Sequence, residues 1–156
     1  MILRILINVP RDLWAVAHIF KYWLLDCVND FLNEAGTFFL ATVDGDKPKV
    51  RPLGLHFEMD GKVLFGIGDF KNVYRQLVKN PNTEIVACKP NGHWLRYTGK
   101  AVFETDPKYA EAALEGSPNL KAIYNEQTGN KMMVFHLEDA TAVDIAVMGE
   151  GEDLLG

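Results

Sequence analysis

Cysteine is scarce in this chain, and the few cysteines form no motif. The two cysteines among 156 residues, Cys27 and Cys88, lie far apart and have neither CxxC nor His/Cys ligand spacing. This argues against a disulfide framework or a zinc site and favours reduced, half-buried thiols in a cytosolic protein. A redox-active Cys88 is the alternative, although the residues around it alternate like an ordinary strand.

The sequence also lacks a surplus of positive charge and a long uncharged apolar run. It has 16 basic and 21 acidic residues, a net charge of −5, and no basic run, which argues against a general nucleic-acid binder. The apolar N-terminal stretch 1–28 is interrupted by charged residues, so no segment approaches the roughly 18 apolar residues of a membrane span. It has no apolar core followed by a small-residue cleavage site, so we expect a cytoplasmic protein without a signal peptide.

Familiar catalytic motifs are missing as well. No nucleophile elbow, Ser/His/Asp order, HExxH or P-loop occurs. His18, His56, His93 and His136 are each isolated, which favours surface or core histidines over metal ligands. The sequence therefore leaves the catalytic residues unidentified and predicts no metal site.

One stretch, Val63 to Asn80, combines a glycine turn with a helix. A short apolar run ends at Gly66-Ile67-Gly68, and helical spacing follows at Phe70, Val73, Tyr74, Leu77 and Val78. Asp69 is predicted to cap this helix, which places Lys71 in its first turn. A cation there suits a bound anion such as a phosphate, because the free N–H groups already make a helix start positive. A solvated surface lysine is the alternative.

The remaining pattern is mostly that of strands. Strands are predicted at 37–43, 49–59, 63–67, 84–89, 94–104, 131–137 and 141–148, and helices at 12–34, from Asp106-Pro107 and from Ser117-Pro118. Gly99 is expected to mark a bulge in its strand, and the tail 149–156 is expected to fray. This order indicates a mainly β protein, a small antiparallel barrel of about six to seven strands with helices packed outside it.

Two further residues bear on a ligand. Arg51 shares parity with the apolar side of its strand, so it needs an anion or a carbonyl partner, and a ligand contact and a salt bridge to an acid are both open. Trp94 is either a core residue or a stacking surface for a planar ligand. Together with Lys71, these residues suit a ligand with a phosphate at one end and a ring at the other, such as flavin mononucleotide (FMN).

Three segments resemble those of a known family. FLNEAGTFFLATVDGDKPKVRPLG, VLFGIGDFKNVYRQLVKNP and HWLRYTGKAVFE are similar, in order and spacing, to the pyridoxamine 5'-phosphate oxidase-like, FMN-binding split-barrel proteins. The chain is most similar to short bacterial members related to nitroimidazole-resistance proteins. The resemblance covers about Val28 to Met148. It implies a split-barrel domain at 29–148, after an N-terminal helical extension (1–28) and before an acidic tail (149–156).

The resemblance implies a homodimer with FMN at the interface. It assigns flavin contacts to the strand residues Arg51, Pro52, Leu53, Gly54, Phe65 and Gly66, phosphate contacts to Lys71 and Asn72, and a contact from the partner chain to Trp94. Gly66 and Trp94 stand where the oxidase has threonine and glutamine, and the oxidase's C-terminal substrate-binding segment has no counterpart. We therefore expect no true pyridoxamine phosphate oxidase activity.

The expected function is that of an FMN-binding flavoprotein, an oxidoreductase acting on an unidentified small molecule. One alternative is a non-catalytic sensor or storage protein for haem or flavin, with His93 or His136 as the axial haem ligand. Another is a reductase that uses the deazaflavin F420.

Overall fold

The computed structural model describes residues 27–146 and 151–154. The helices are α1 (27–35), α2 (Asn72–Lys79), α3 (Pro107–Gly116) and a 3₁₀ helix (Pro118–Ala122). The strands are β1 (Phe38–Asp44), β2 (Lys47–Leu53), β3 (His56–Met59), β4 (Lys62–Gly68), β5 (Asn82–Cys88), β6 (Trp94–Phe103), β7 (Met132–Ile145) and β8 (Gly151–Asp153). No helix in the described ranges is both long and apolar enough to cross a membrane.

All the strands pair antiparallel in one sheet whose order is β2-β1-β5-β6-β7-β4-β3, with β8 added alongside β7. The consecutive strands β2 and β3 lie at opposite ends of this order, yet only Gly54 and Leu55 separate them. Two residues span about 7 Å at most. The sheet must therefore curl until its two edges meet, which confirms the mainly β, split-barrel prediction.

The described core has two parts, one on each face of the curled sheet. The barrel interior holds aromatic and aliphatic side chains from the strands, α1 and α2, including Phe38, Leu40, Phe65, Tyr97 and Phe135. A second cluster outside the barrel packs α3 against the sheet through Leu64, Tyr109, Ala113, Tyr124, Met132 and Val134. Strand β4 supplies both clusters because successive side chains of a strand point to opposite faces.

The start of the fold agrees with its prediction as far as it can be seen. Most of the predicted helix 12–34 lies outside the described residues, and 27–35 is helical. Gly36 follows with a φ of 75°, and its amide donates to the Leu32 carbonyl at 2.9 Å, the arrangement of a helix C-terminus.

The predicted strand 49–59 is wrong in one respect, because it breaks at Gly54 and Leu55. Leu53 packs against the barrel core, whereas Leu55, Phe57 and Met59 pack against the outer cluster. The break is needed because its two halves belong to opposite edges of the sheet. Apolar alternation alone predicts one continuous face and misses this change.

The last strands also differ from prediction. Residues 132–145 form one long strand, with Asp139 at a φ of 50° where two strands were expected. The bulge at Gly99 is confirmed by a shift in the β6–β7 register between Thr98 and Lys100. A Cβ at Gly99 would lie 2.9 Å from the Glu138 carbonyl oxygen, so glycine suits this close approach. The expected fraying is wrong for Gly151–Asp153, which pairs with β7 as strand β8.

Candidate functional site

Helix α2 begins without a side-chain cap. Lys71 is its N-cap residue, with extended φ and ψ of −80° and 146°, and no acidic residue lies in the first turn. The predictions that Asp69 caps this helix and that Lys71 lies in its first turn are both wrong. Asp69 Oδ1 instead accepts from the Lys131 amide at 2.9 Å, and the Asp69 amide donates to the Lys131 carbonyl at 3.1 Å. The loop is thereby tied to β7, and the start of α2 keeps its positive end free of acidic side chains.

Arg51 is held by uncharged acceptors. Its Nη1 donates to the Leu40 carbonyl at 3.1 Å and to Thr42 Oγ1 at 2.6 Å, and its Nη2 donates to Gln76 Oε1 at 2.7 Å. Nη1 also donates to the backbone carbonyl of Lys49 at 3.2 Å. Burial lowers the pKa of Arg51, but a guanidinium remains protonated in proteins.

In the part of the chain that the structure describes, no acid compensates this charge. Among the described residues, no carboxylate forms an ion pair with Arg51, so the salt-bridge interpretation is wrong. Half-buried cations without a counterion are costly unless an anion approaches them. The geometry therefore leaves the positive charge of Arg51 available to an anionic ligand.

Gln76 orients its amide through the same contacts. Its Oε1 accepts from both Thr42 Oγ1, at 2.7 Å, and Arg51, so its NH₂ group is turned away from them. Gln76 also lines a cavity of about 240 Å³, which we call the α2 cleft, whose walls are Val43, Asp44, Asn72, Arg75, Gln76 and Lys79.

The α2 cleft is rich in hydrogen-bond donors. Arg75 Nη1 donates to Asn72 Oδ1 at 2.9 Å, which leaves the Asn72 NH₂ group for another partner. Arg75 and Lys79 add two positive charges, against the single acid Asp44. Of these wall residues, sequence reasoning identified only Asn72. The polar spacing 72, 75, 76 and 79 along one side of a helix is the signal that could have found the others.

The other predicted site residues at the end of β2 could contact a ligand mainly through their backbone atoms. Pro52 and Gly54 are exposed, Leu53 is half-buried, and β2 ends the order of paired strands. Phe65 is fully buried in the barrel core, where its ring centroid lies 5.5 Å from those of Phe38 and Phe135. Phe65 exposes neither its ring nor its backbone, so a flavin contact at this residue stays a prediction.

Gly66 is required by its neighbours. A Cβ at this position would overlap the Leu55 side chain and lie 3.1 Å from Met132 Sδ. Its amide donates to the Leu55 carbonyl at 3.2 Å. Leu55 thus occupies the space that a larger side chain at position 66 would need.

Trp94 lies apart from the residues around Arg51. It begins β6, which β5 and β1 separate from β2 in the sheet, so roughly 14 Å divides the two strands. The guanidinium carbon of Arg96 lies 5.0 Å from the centroid of the half-buried Trp94 ring. Contact between Trp94 and a flavin held by another copy of the chain stays a prediction.

The described histidines differ in their surroundings. His136 is enclosed, with Nδ1 2.7 Å from Glu104 Oε1 and a side chain that is only 14% exposed. Burial lowers the pKa of His56, and the Gly54 backbone opposes that shift without forming a well-aligned hydrogen bond. His93 is more open, with a side chain 44% exposed and its Nδ1 2.9 Å from Asp144 Oδ1.

Comparison with known proteins identifies the family. Residues 24–146 match the family model described as pyridoxamine 5'-phosphate oxidase. A NimC/NimA family protein from Clostridium acetobutylicum is 32% identical, with a TM-score of 0.78 over 86% of this chain and 93% of that one.

More distant structures share the fold. A heme binding protein from Mycobacterium smegmatis is 14% identical (TM-score 0.62, 86% of this chain and 56% of that one). A FAD-binding protein from Mesorhizobium loti is 12% identical (TM-score 0.54, 76% of this chain and 92% of that one). No protein with a curated description matches the chain significantly. The chain belongs to the pyridoxamine 5'-phosphate oxidase family.

Proposed function

We propose that this protein is an FMN-binding flavoprotein and an oxidoreductase. The observation that carries the proposal is the charge of Arg51, which is held among the described residues by neutral acceptors, one of them Gln76 of α2, a helix whose start has no side-chain cap. The chain's family supports a flavin, since one protein of the same fold is named as FAD-binding.

The donors around Arg51 fit the phosphate end of FMN. Helix starts bind phosphate through free backbone N–H groups, and α2 has neither a capping side chain nor an acid in its first turn. Lys71, Asn72 and Arg51 would hold the phosphate, and the donor-rich walls of the α2 cleft would add to the attraction.

The flavin ring would lie along Pro52, Leu53 and Gly54 at the edge of the sheet. When bound, the flavin supplies the hydride or electron transfer, and the protein binds and orients it. The space that Leu55 fills beside Gly66 favours a substrate other than pyridoxamine phosphate.

A second copy of the chain would complete the site. The outer face of β1 and β2 exposes apolar side chains, with Phe39 45% and Val50 64% exposed. We therefore propose a cytoplasmic homodimer formed through this face, which would bring Trp94 of one copy to the flavin of the other.

The cofactor proposal is tested by flavin titration. The purified protein should bind FMN at micromolar concentrations and take on a flavin visible spectrum. Lys71→Ala should weaken FMN binding about tenfold, roughly 1.4 kcal/mol, but leave riboflavin binding unchanged, because only FMN offers the phosphate. Lys121→Ala, the same change on the exposed 3₁₀ helix, is the matched control.

Two results would count against the proposal. Protein that stays colourless and takes up no added FMN would exclude the cofactor. Equal weakening of FMN and riboflavin by Lys71→Ala would exclude the phosphate contact while leaving flavin binding intact.

A further inference from the structure

The α2 cleft carries positive charge that no described acid neutralises. Arg75 and Lys79 are exposed on its walls, and neither forms an ion pair with a described carboxylate. The single acid of the walls, Asp44, lies opposite Lys47 in the register of β1 and β2, which offsets its charge. The cleft therefore attracts anions.

One nearly buried side chain turns a hydrogen-bond donor toward the cleft. Gln76 is only 8% exposed. Its oxygen faces Arg51, because a guanidinium has only donors, and its NH₂ group therefore faces the opposite way. No described group accepts from this NH₂ group, and it is not sealed inside the protein as the ring nitrogens of His56 are. It thus opens onto the cleft that Gln76 lines, where a ligand oxygen can accept from it.

The same amide connects the cleft to the residues proposed to hold the FMN phosphate. Arg51 and Thr42 both donate to Gln76 Oε1, each at 2.7 Å. Hydrogen bonds in a chain polarise one another, so a guanidinium on the oxygen makes the NH₂ group a stronger donor. An anion in the cleft would therefore be stabilised by Arg51 through Gln76, without touching Arg51 itself.

The donors of the cleft extend along α2. Positions 72, 75, 76 and 79 lie on one side of the helix, and at 1.5 Å of rise per residue they cover about 10 Å. With the FMN phosphate at Lys71 and Asn72, the side chains of Arg75, Gln76 and Lys79 remain for another group one to two turns further on. Arg75 links the two parts, since its Nη1 donates to Asn72 Oδ1 at 2.9 Å.

We infer that the α2 cleft binds a second phosphate group beside that of FMN, an inference that rests on the proposed function. Arg75 and Lys79 would form charge-assisted hydrogen bonds with its oxygens, and Gln76 would add a neutral donor. Two kinds of nucleotide bring such a group to a flavin site. NADPH carries a 2'-phosphate that NADH lacks, and FAD carries a second phosphate that FMN lacks. The cleft would select the electron donor in the first case and the form of the flavin in the second.

The test compares ligands that differ by that phosphate. Calorimetry measures 2',5'-ADP against AMP on the FMN-loaded protein, and FAD against FMN on the flavin-free protein. In at least one pair, the ligand with the additional phosphate should bind about tenfold more tightly or better. A preference for 2',5'-ADP alone would identify NADPH as the source of the phosphate, and a preference for FAD alone would identify the flavin dinucleotide.

Variants of the cleft locate the effect. Lys79→Ala should reduce the observed preference about tenfold and leave FMN affinity within about twofold, because Lys79 lies far from the start of α2. Arg75→Ala should reduce the preference as well, and α2 should be retained in both variants, since alanine favours helix. Lys121→Ala, on the 3₁₀ helix, is the matched control and should keep the preference.

A second measurement does not depend on affinity. The NMR signals of the Gln76 side-chain NH₂ group should shift when the preferred ligand is added, because a phosphate oxygen accepts from it. AMP, added to the FMN-loaded protein, should leave these signals in place.

Equal affinities within both pairs of ligands, or a preference that survives Lys79→Ala and Arg75→Ala, would overturn the inference while leaving the flavoprotein assignment in place. An equal loss in Lys121→Ala would attribute the preference to net charge and would also overturn it. Wild-type protein that takes up neither FMN nor FAD would overturn the proposed function, and this inference with it.

Discussion

At the scale of single residues, Arg51 shows how a half-buried cation can suggest a ligand. Arg51 alternates with the exposed residues of its strand, and this alternation predicts that its side chain points inward. Its partners could not be predicted, because Thr42 lies on β1 and Gln76 on α2, 9 and 25 positions away, and only the folded chain brings them together. The absence of a described carboxylate from this group makes the half-buried Arg51 a candidate anion site.

A single substitution tests this view of Arg51. Gln76→Glu places a carboxylate where the amide oxygen accepts from Arg51, so it supplies the counterion that the native site lacks. We expect FMN binding to weaken about tenfold or more and riboflavin binding to stay unchanged. Titration of each variant with both flavins measures this.

The control for that experiment is Gln127→Glu, the same change at an exposed position. It should leave FMN binding unaffected, since a distant surface charge is screened by salt. Equal losses in the two variants would attribute the effect to net charge and not to Arg51.

At the scale of elements, most strands could be predicted, because alternation and turn residues are local signals. The break between β2 and β3 could not, since nothing local shows that Leu53 and Leu55 belong to opposite edges of the sheet. The same break explains Gly66. Leu55, after leaving β2, lies over β4 and fills the space where a larger side chain would sit.

This packing predicts the effect of enlarging position 66. Gly66→Thr should destabilise the fold by about 1–3 kcal/mol, because its Cβ meets Leu55 and Met132 in a packed region. Adding Leu55→Ala should recover part of the loss by opening space for the new side chain. Urea unfolding of the single and double variants measures the change in the free energy of unfolding that each causes. If the changes of the two single variants simply add up in the double variant, the two positions do not interact.

At the scale of the whole molecule, the curled sheet separates the residues proposed to bind phosphate from Trp94. Sequence reasoning predicted the barrel, and the strand order places two strands between β2 and β6, so Arg51 and Trp94 of one chain lie apart. The exposed apolar face of β1 and β2 offers the surface through which a second copy could supply the missing side. A substitution on that face should therefore change assembly and flavin binding together.

Val50→Asp tests this coupling. Val50 is 64% exposed on the proposed interface, and burying a carboxylate there without a partner would be costly, so we expect the dimer to dissociate. FMN affinity should fall with it, because Trp94 of the partner is lost. Val78→Asp is the matched control, since Val78 is 60% exposed on α2, away from that face. Light scattering and flavin titration measure the two effects. A Val50→Asp protein that is monomeric yet binds FMN like wild type would confine the flavin site to one chain.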